Sequence, residues 1–138
     1  MSETPFDPDA DLIIVPAILR GPHRDLVLRL VLDTGAAVTT IVPHYLHQIG
    51  YGARQGIAVS RVSSPIGVER GYLIDVGPFE VLGTRIEHLT VNALDVIEGE
   101  HDEDDRIDGL LGLDFLRRFN CEIRYEDARI RLERFQHA

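Results

Sequence analysis

The stretch LRLVLDTGAAVTTIV, from Leu28 to Val42, places one ionisable carboxylate between two runs of apolar and β-branched residues. Asp33 follows an apolar run that is typical of a buried strand, and a charge there is costly unless it is paired or used in chemistry. Thr34 and Gly35 come next, and Asp-Thr-Gly is also a favourable turn sequence, because the aspartate can accept backbone N–H groups. Asp33 is therefore either a turn residue or a carboxylate available for acid–base catalysis.

A second element lies near the end of the chain, in the stretch IDGLLGLDFLRRFNCEIRYEDARIRL that begins at Ile107. It predicts a strand that ends in two apolar residues and a glycine, then a short helix, then a closing hairpin. Between the two elements, SSPIG (residues 63–67) predicts a hairpin tip. The order and spacing of these features resemble those of retropepsin-like aspartic proteases, and the resemblance covers roughly residues 12–135.

The resemblance implies a catalytic role for Asp33 and a supporting role for Thr34, which would hydrogen-bond across to a partner loop. Two neighbouring carboxylates share one proton, so that one acts as a base toward water and the other as an acid toward the leaving nitrogen. The chain has one Asp-Thr-Gly, so a second, identical subunit would supply the other carboxylate. This chemistry requires no metal and no cofactor.

The implied substrate is a protein or peptide. The residues expected to contact it are Gly35, whose lack of a side chain permits close approach, together with Ala36, Ile66 and Gly67. Retroviral members often carry an acidic residue where this chain has Ala37, which removes one expected substrate contact. A catalytically silent retropepsin-like module for dimerisation or peptide binding remains the alternative function.

The elements that must position these residues are mostly β. Short apolar or alternating segments bounded by turn residues predict many strands, whereas PHYLHQIG (43–50) and LDFLRRF (113–119) predict two short helices. The expected fold is a retropepsin-like closed β-barrel or sandwich spanning residues 11–138. Residues 1–10 are acidic and contain two prolines, which predicts a disordered N-terminal tail.

Composition restricts the other function classes. The net charge of −9 disfavours nucleic acid and anionic membranes as partners, and no apolar run approaches the ~18 residues of a membrane span. One cysteine, Cys121, excludes an intrachain disulfide and favours a reducing, cytoplasmic location.

Three further features could carry chemistry, and each has a simpler interpretation. Seven carboxylates between Glu98 and Asp108 resemble a cation-binding loop, but Arg106 and Ile107 break the template and a solvated loop is favoured. His44 and His47 lie one helical turn apart without a third ligand nearby, which indicates surface residues. Asp108, a conceivable second carboxylate within the chain, is interpreted as structural.

Overall fold

The computed structural model describes residues 2–65, 67–95 and 106–136, and the side chains at 62–64 and 67–69 are not described. The described elements are twelve strands and two α-helices, with one 3-10 turn at Ala53–Gln55. The strands are β1 (Ser2–Pro5), β2 (Ile14–Arg20), β3 (Asp25–Leu32), β4 (Thr40–Ile41), β5 (Ala58–Ser64), β6 (Gly67–Val76), β7 (Phe79–Val81), β8 (Thr84–Ile86), β9 (Leu89–Ala93), β10 (Gly109–Leu111), β11 (Phe119–Arg124) and β12 (Arg129–Arg134). The helices are α1 (Pro43–Gln48) and α2 (Leu113–Leu116). The prediction of a mostly β fold with two short helices is confirmed.

Nine strands form the larger sheet, in the order β5-β6-β9-β4-β10-β3-β2-β7-β8, and this sheet curls into a half-barrel. Alternate side chains of each strand point inward, as the period of a β-strand requires. Val15 and Ala17 of β2 and Leu28 and Leu30 of β3 are fully buried on that inner side. Phe79 and Phe115 meet edge to face in the same core, and their ring centroids are 6.4 Å apart.

Strand β10, from the C-terminal part of the chain, lies between β3 and β4 in the larger sheet. It runs parallel to β3, with Leu110 beside Val31, and antiparallel to β4, with Leu110 beside Thr40. A Cβ at Gly109 would stand 2.1 Å from the Thr40 carbonyl oxygen, so only glycine permits this close strand contact. Because β10 lies beside β3, the loop that begins at Asp33 is next to the segment that begins at Gly112.

The smaller sheet has the order β1-β12-β11 and corrects one prediction from the sequence. Residues 1–10 were expected to be disordered, but Ser2–Pro5 pair with β12, and Glu3 forms a 3.1 Å ion pair with Arg131. The Ser2 hydroxyl also donates to the Leu82 carbonyl oxygen at 2.7 Å. The expectation was wrong for residues 2–5 because their partners lie far away in the sequence.

The helices are short and differ slightly from the predicted spans. Helix α1 begins at Pro43 and buries Leu46, and the chain leaves it through Gly50, whose φ of +101° favours glycine. Helix α2 is a single turn that ends at Leu116, and Phe119, which was predicted to end the helix, begins β11 instead. Within the described ranges, neither helix is long and apolar enough to cross a membrane.

Candidate active site

Asp33 occupies a turn immediately after β3, where the strand ladder continues for one more residue. Its N–H donates to the Leu111 carbonyl oxygen at 3.0 Å, and its own carbonyl oxygen accepts the Ala36 N–H at 3.2 Å. The Asp33 Oδ1 accepts the Gly35 N–H at 2.8 Å, which is the turn interaction expected for this sequence. Asp33 is half-buried, and the adjacent Thr34 and Gly35 are exposed.

The Asp33 carboxylate satisfies the turn with only one of its two oxygens. Within the part of the chain that is described, it forms no ion pair with an arginine or histidine, and its Oδ2 accepts no hydrogen bond. The turn interpretation of Asp33 therefore accounts for one of its two carboxylate oxygens. One carboxylate oxygen is free to act on another molecule, such as water or a second carboxyl group.

The segment that follows β10 holds the loop after Asp33 through its backbone. Leu113 N–H donates to the Ala36 carbonyl oxygen at 2.8 Å, and Asp114 N–H donates to the Ala37 carbonyl oxygen at 3.2 Å. A Cβ at Gly112 would lie 2.8 Å from the Ala36 carbonyl oxygen, so a side chain there would push the two segments apart. The two sequence elements identified from their motifs are thus in direct contact.

Asp114 fixes the far end of the same loop, and the sequence analysis did not identify it. Its carboxylate accepts the Thr39 N–H at 3.0 Å and the Thr39 hydroxyl at 2.7 Å, while Thr39 is completely buried. The Thr39 hydroxyl oxygen in turn accepts the Gly112 N–H at 3.1 Å. The available signal was an acidic residue in the first turn of a predicted helix, where it is favourable, but that signal does not name Thr39.

Asp108 is structural, as the sequence analysis proposed. Its side chain is completely buried, accepts the Arg29 N–H at 2.8 Å and pairs with Arg106 Nε at 2.8 Å. The Arg106 guanidinium also lies 5.4 Å from the centre of the Tyr45 ring. Asp108 lies beside Arg29, which is four residues before Asp33. Four residues of an extended strand span roughly 13 Å, so Asp108 and Asp33 are too far apart to share a proton.

The pKa values of two side chains, Tyr45 and Cys121, are raised above their ordinary values. Burial raises the pKa of Tyr45, and the negative charge of the Asp108 carboxylate raises it further. Burial also raises the pKa of the Cys121 thiol, which keeps it protonated and disfavours a nucleophilic role. Both effects favour the neutral form of the side chain.

The remaining predicted residues are only partly described. Ala36 is half-buried in the loop, Gly67 begins β6 at the tip of the β5–β6 hairpin, and Ile66 lies outside the described residues. The acidic segment from Glu98 to Asp105 lies outside them as well. His44 and His47 are exposed on α1, and no group of three potential metal ligands occurs among the residues that the structure covers.

Comparisons with known proteins agree with this arrangement. A family model described as aspartyl protease matches residues 15–115, which include the Asp33 loop and all of helix α2 except its last residue. A retropepsin-like aspartic protease from Rickettsia conorii has a similar solved structure, with a TM-score of 0.68 and 17% sequence identity. That match covers 94% of this chain and 98% of the other, and it confirms the predicted retropepsin-like fold. No curated protein matches the chain.

Proposed function

This chain belongs to the aspartyl protease family, and from that premise we propose that it is an aspartic endopeptidase that works as a homodimer. The observation that carries the proposal is the free oxygen of Asp33, presented on an exposed loop that is clamped at both ends. A fixed carboxylate without a basic partner is suited to exchange a proton with water. Thr34 is exposed, and its hydroxyl makes no hydrogen bond in the described part of the chain.

The dimer follows from the chemistry of peptide hydrolysis without a metal. One carboxylate must be ionised to accept a proton from water, while a second must be protonated to donate one to the leaving nitrogen. Two carboxylates a few ångströms apart hold a single proton between them, which generates both forms at once. The chain contains one Asp-Thr-Gly, so the second carboxylate comes from Asp33 of a second copy across a two-fold axis.

The neighbouring residues take supporting roles in this proposal. Thr34, which is exposed in the single chain, would hydrogen-bond across the two-fold axis and hold the two loops together. Gly35 and Ala36 would present backbone groups to an extended peptide, and Ile66 and Gly67 would provide further substrate contacts. In each step the protein's own carboxyl groups move the protons, and water is the nucleophile.

The experiment measures cleavage of an unfolded protein at mildly acidic pH by the parent chain and by Asp33→Asn. Asp33→Asn retains the oxygen that accepts the Gly35 N–H but removes the ionisable group, so we expect it to fold and lose nearly all activity. Asp127→Asn, a change in the exposed β11–β12 turn, is the matched control and should cleave like the parent. Cleavage that survives Asp33→Asn would contradict the proposal.

A dependence on pH provides a second criterion. Because one carboxyl must be charged and the other neutral, the rate should rise and then fall as pH increases, in a bell-shaped profile that belongs to the pair. A silent module for dimerisation or peptide binding would bind peptides without cleaving them at any pH. Parent protein that binds peptides but never cleaves them would favour that alternative.

A further inference from the structure

The register of the larger sheet defines which residues share a side with Asp33. Side chains alternate along a strand, and the Asp33 N–H continues the pairing of β3 with β10, so Asp33 lies on the same side as Val31. Across the sheet, that side continues through the residues that pair in register, which are Leu110 of β10, Thr40 of β4, Asn92 of β9 and Leu73 of β6. We call these residues, with Asp33 and Val31, the Asp33 face.

The Asp33 face is opposite to the hydrophobic core. The residues that alternate with it, Leu30, Leu111, Ile41 and Ala93, are all completely buried on the inner side of the sheet. Farther along β9, Thr90 also lies on the Asp33 face, where its hydroxyl donates a hydrogen bond to the carboxylate of the exposed Asp75 at 2.6 Å. A peptide that reaches the Asp33 carboxylate therefore runs along this face and not along the core side.

Two adjacent positions on the Asp33 face are polar although they are almost inaccessible to solvent. Thr40 is 5% exposed and Asn92 is 8% exposed, and the two are neighbours in parallel strands about 4.8 Å apart. Leu110 and Leu73 flank them in register. Polar side chains that are so little exposed are stabilised when their hydrogen bonds are made, whether by protein atoms, by water or by a ligand.

The hydrogen bonds that are present leave part of this capacity unused. The Ser60 hydroxyl meets Asn92 Oδ1 at 2.5 Å, and the carboxamide nitrogen of Asn92 donates to no atom in the described ranges. Reversing the carboxamide would leave its oxygen unpaired instead, so one end is free in either orientation. The Thr40 hydroxyl donates to the Val38 carbonyl oxygen at 3.1 Å, which leaves the Thr40 oxygen able to accept.

We propose that Asn92 and Thr40 form a polar subsite that binds the carboxamide side chain of a substrate asparagine or glutamine; this rests on the proposed endopeptidase function. The substrate amide oxygen would accept from the Asn92 nitrogen, and the substrate amide nitrogen would donate to the Thr40 oxygen. A carboxylate lacks that second donor and would be desolvated without a cation, since Asn92 and Thr40 are both neutral. An apolar side chain would leave the Asn92 nitrogen unpaired.

The test uses a peptide library in which each position near the scissile bond is varied among Leu, Asn and Asp, which have similar size. We expect the parent to prefer Asn over Leu at one position by about tenfold in kcat/KM, the size of one hydrogen bond. Asn92→Leu should reverse that preference, and Asn92→Asp, which still accepts from Ser60, should remove it. Thr84→Val, in β8 at the far edge of the larger sheet, should leave the preference unchanged.

A binding measurement separates this inference from the proposed function. The same peptides are titrated against the Asp33→Asn protein and followed by fluorescence anisotropy, which requires no cleavage. A preference for Asn that depends on Asn92 supports the subsite even if the parent cleaves nothing, a result that would refute only the endopeptidase. Preferences that are equal for Leu and Asn, or that Asn92→Asp leaves intact, would overturn the subsite.

Discussion

The carboxylate of Asp114 holds both the backbone N–H and the hydroxyl of Thr39, a residue 75 positions earlier in the chain. Thr39 ends the loop that begins at Asp33, and Asp114 lies in the first turn of α2. The orientation of the proposed catalytic residue therefore depends on a helix at the opposite end of the sequence.

Replacing Asp114 should loosen the Asp33 loop. Asp114→Ala leaves the buried Thr39 N–H and hydroxyl without their acceptor, and we expect a loss of about 2–4 kcal/mol in the free energy of unfolding. Asp114→Asn keeps one acceptor oxygen and should cost about half as much. Urea unfolding gives these values, and the rate of peptide cleavage should fall in the same order. Equal stability of Asp114→Ala and the parent would contradict this role.

Mixing subunits tests whether Asp33 works in pairs. When parent and Asp33→Asn chains exchange freely at equal amounts, random pairing yields about half mixed dimers. A mixed dimer has one ionisable carboxyl group and should be nearly inactive, so activity per parent chain should fall to about half. Subunit exchange is confirmed separately with fluorescently labelled chains. An activity per parent chain that stays constant on mixing would show that Asp33 acts alone.

Asp108 should matter for stability and not for the chemical step. Asp108→Asn weakens the pairing with Arg106 while preserving the size of the side chain. Because Arg106 is partly exposed, we expect a modest loss of about 1–3 kcal/mol. At a temperature where the variant is folded, it should cleave peptides at nearly the parental rate. A loss of activity as severe as that of Asp33→Asn would instead make Asp108 a catalytic carboxyl.

Tyr45 should make the protein sensitive to alkaline pH. Because its pKa is raised in the folded state, the folded protein holds the phenol proton more tightly than the unfolded chain does. The stabilisation is complete below the unfolded value of about 10 and is lost as pH rises through the folded value. Urea midpoints measured from pH 8 to 11 should therefore decline less steeply for Tyr45→Phe. Identical slopes for the two proteins would contradict the raised pKa.

The sequence predicted those parts of the fold that local patterns encode. Alternating apolar residues identify β2 and β3, and the glycine and proline turns separate most of the remaining strands. The contact between the Asp33 loop and the segment after β10 was accessible only through resemblance to a family, since 75 residues separate the two motifs.

The features that were missed depend on distant partners. Ser2–Pro5 is too short and too polar to predict a strand, and it forms one because β12 offers a free edge and Arg131 pairs with Glu3. Asp114 has the sequence context of an ordinary helix start, and the importance of its carboxylate comes from its hydrogen bonds with Thr39. Asn92 is one of two polar residues that alternate with apolar ones in β9, and only the strand register places it beside Thr40.

The clamped loop also limits how the chain can change in length. Leu111 is hydrogen-bonded to Asp33 and Leu113 to Ala36, and Asp114 is hydrogen-bonded to both Ala37 and Thr39. The positions of the two segments are therefore matched in sequence. Inserting or deleting one residue between Asp33 and Thr39 would break these matches in succession and turn Thr40 to the opposite side of its strand. Exposed Ala37 and Val38 accept new side chains without such a shift. Engineers who seek altered selectivity should therefore exchange residues at these two positions and leave the residue count of the loop unchanged.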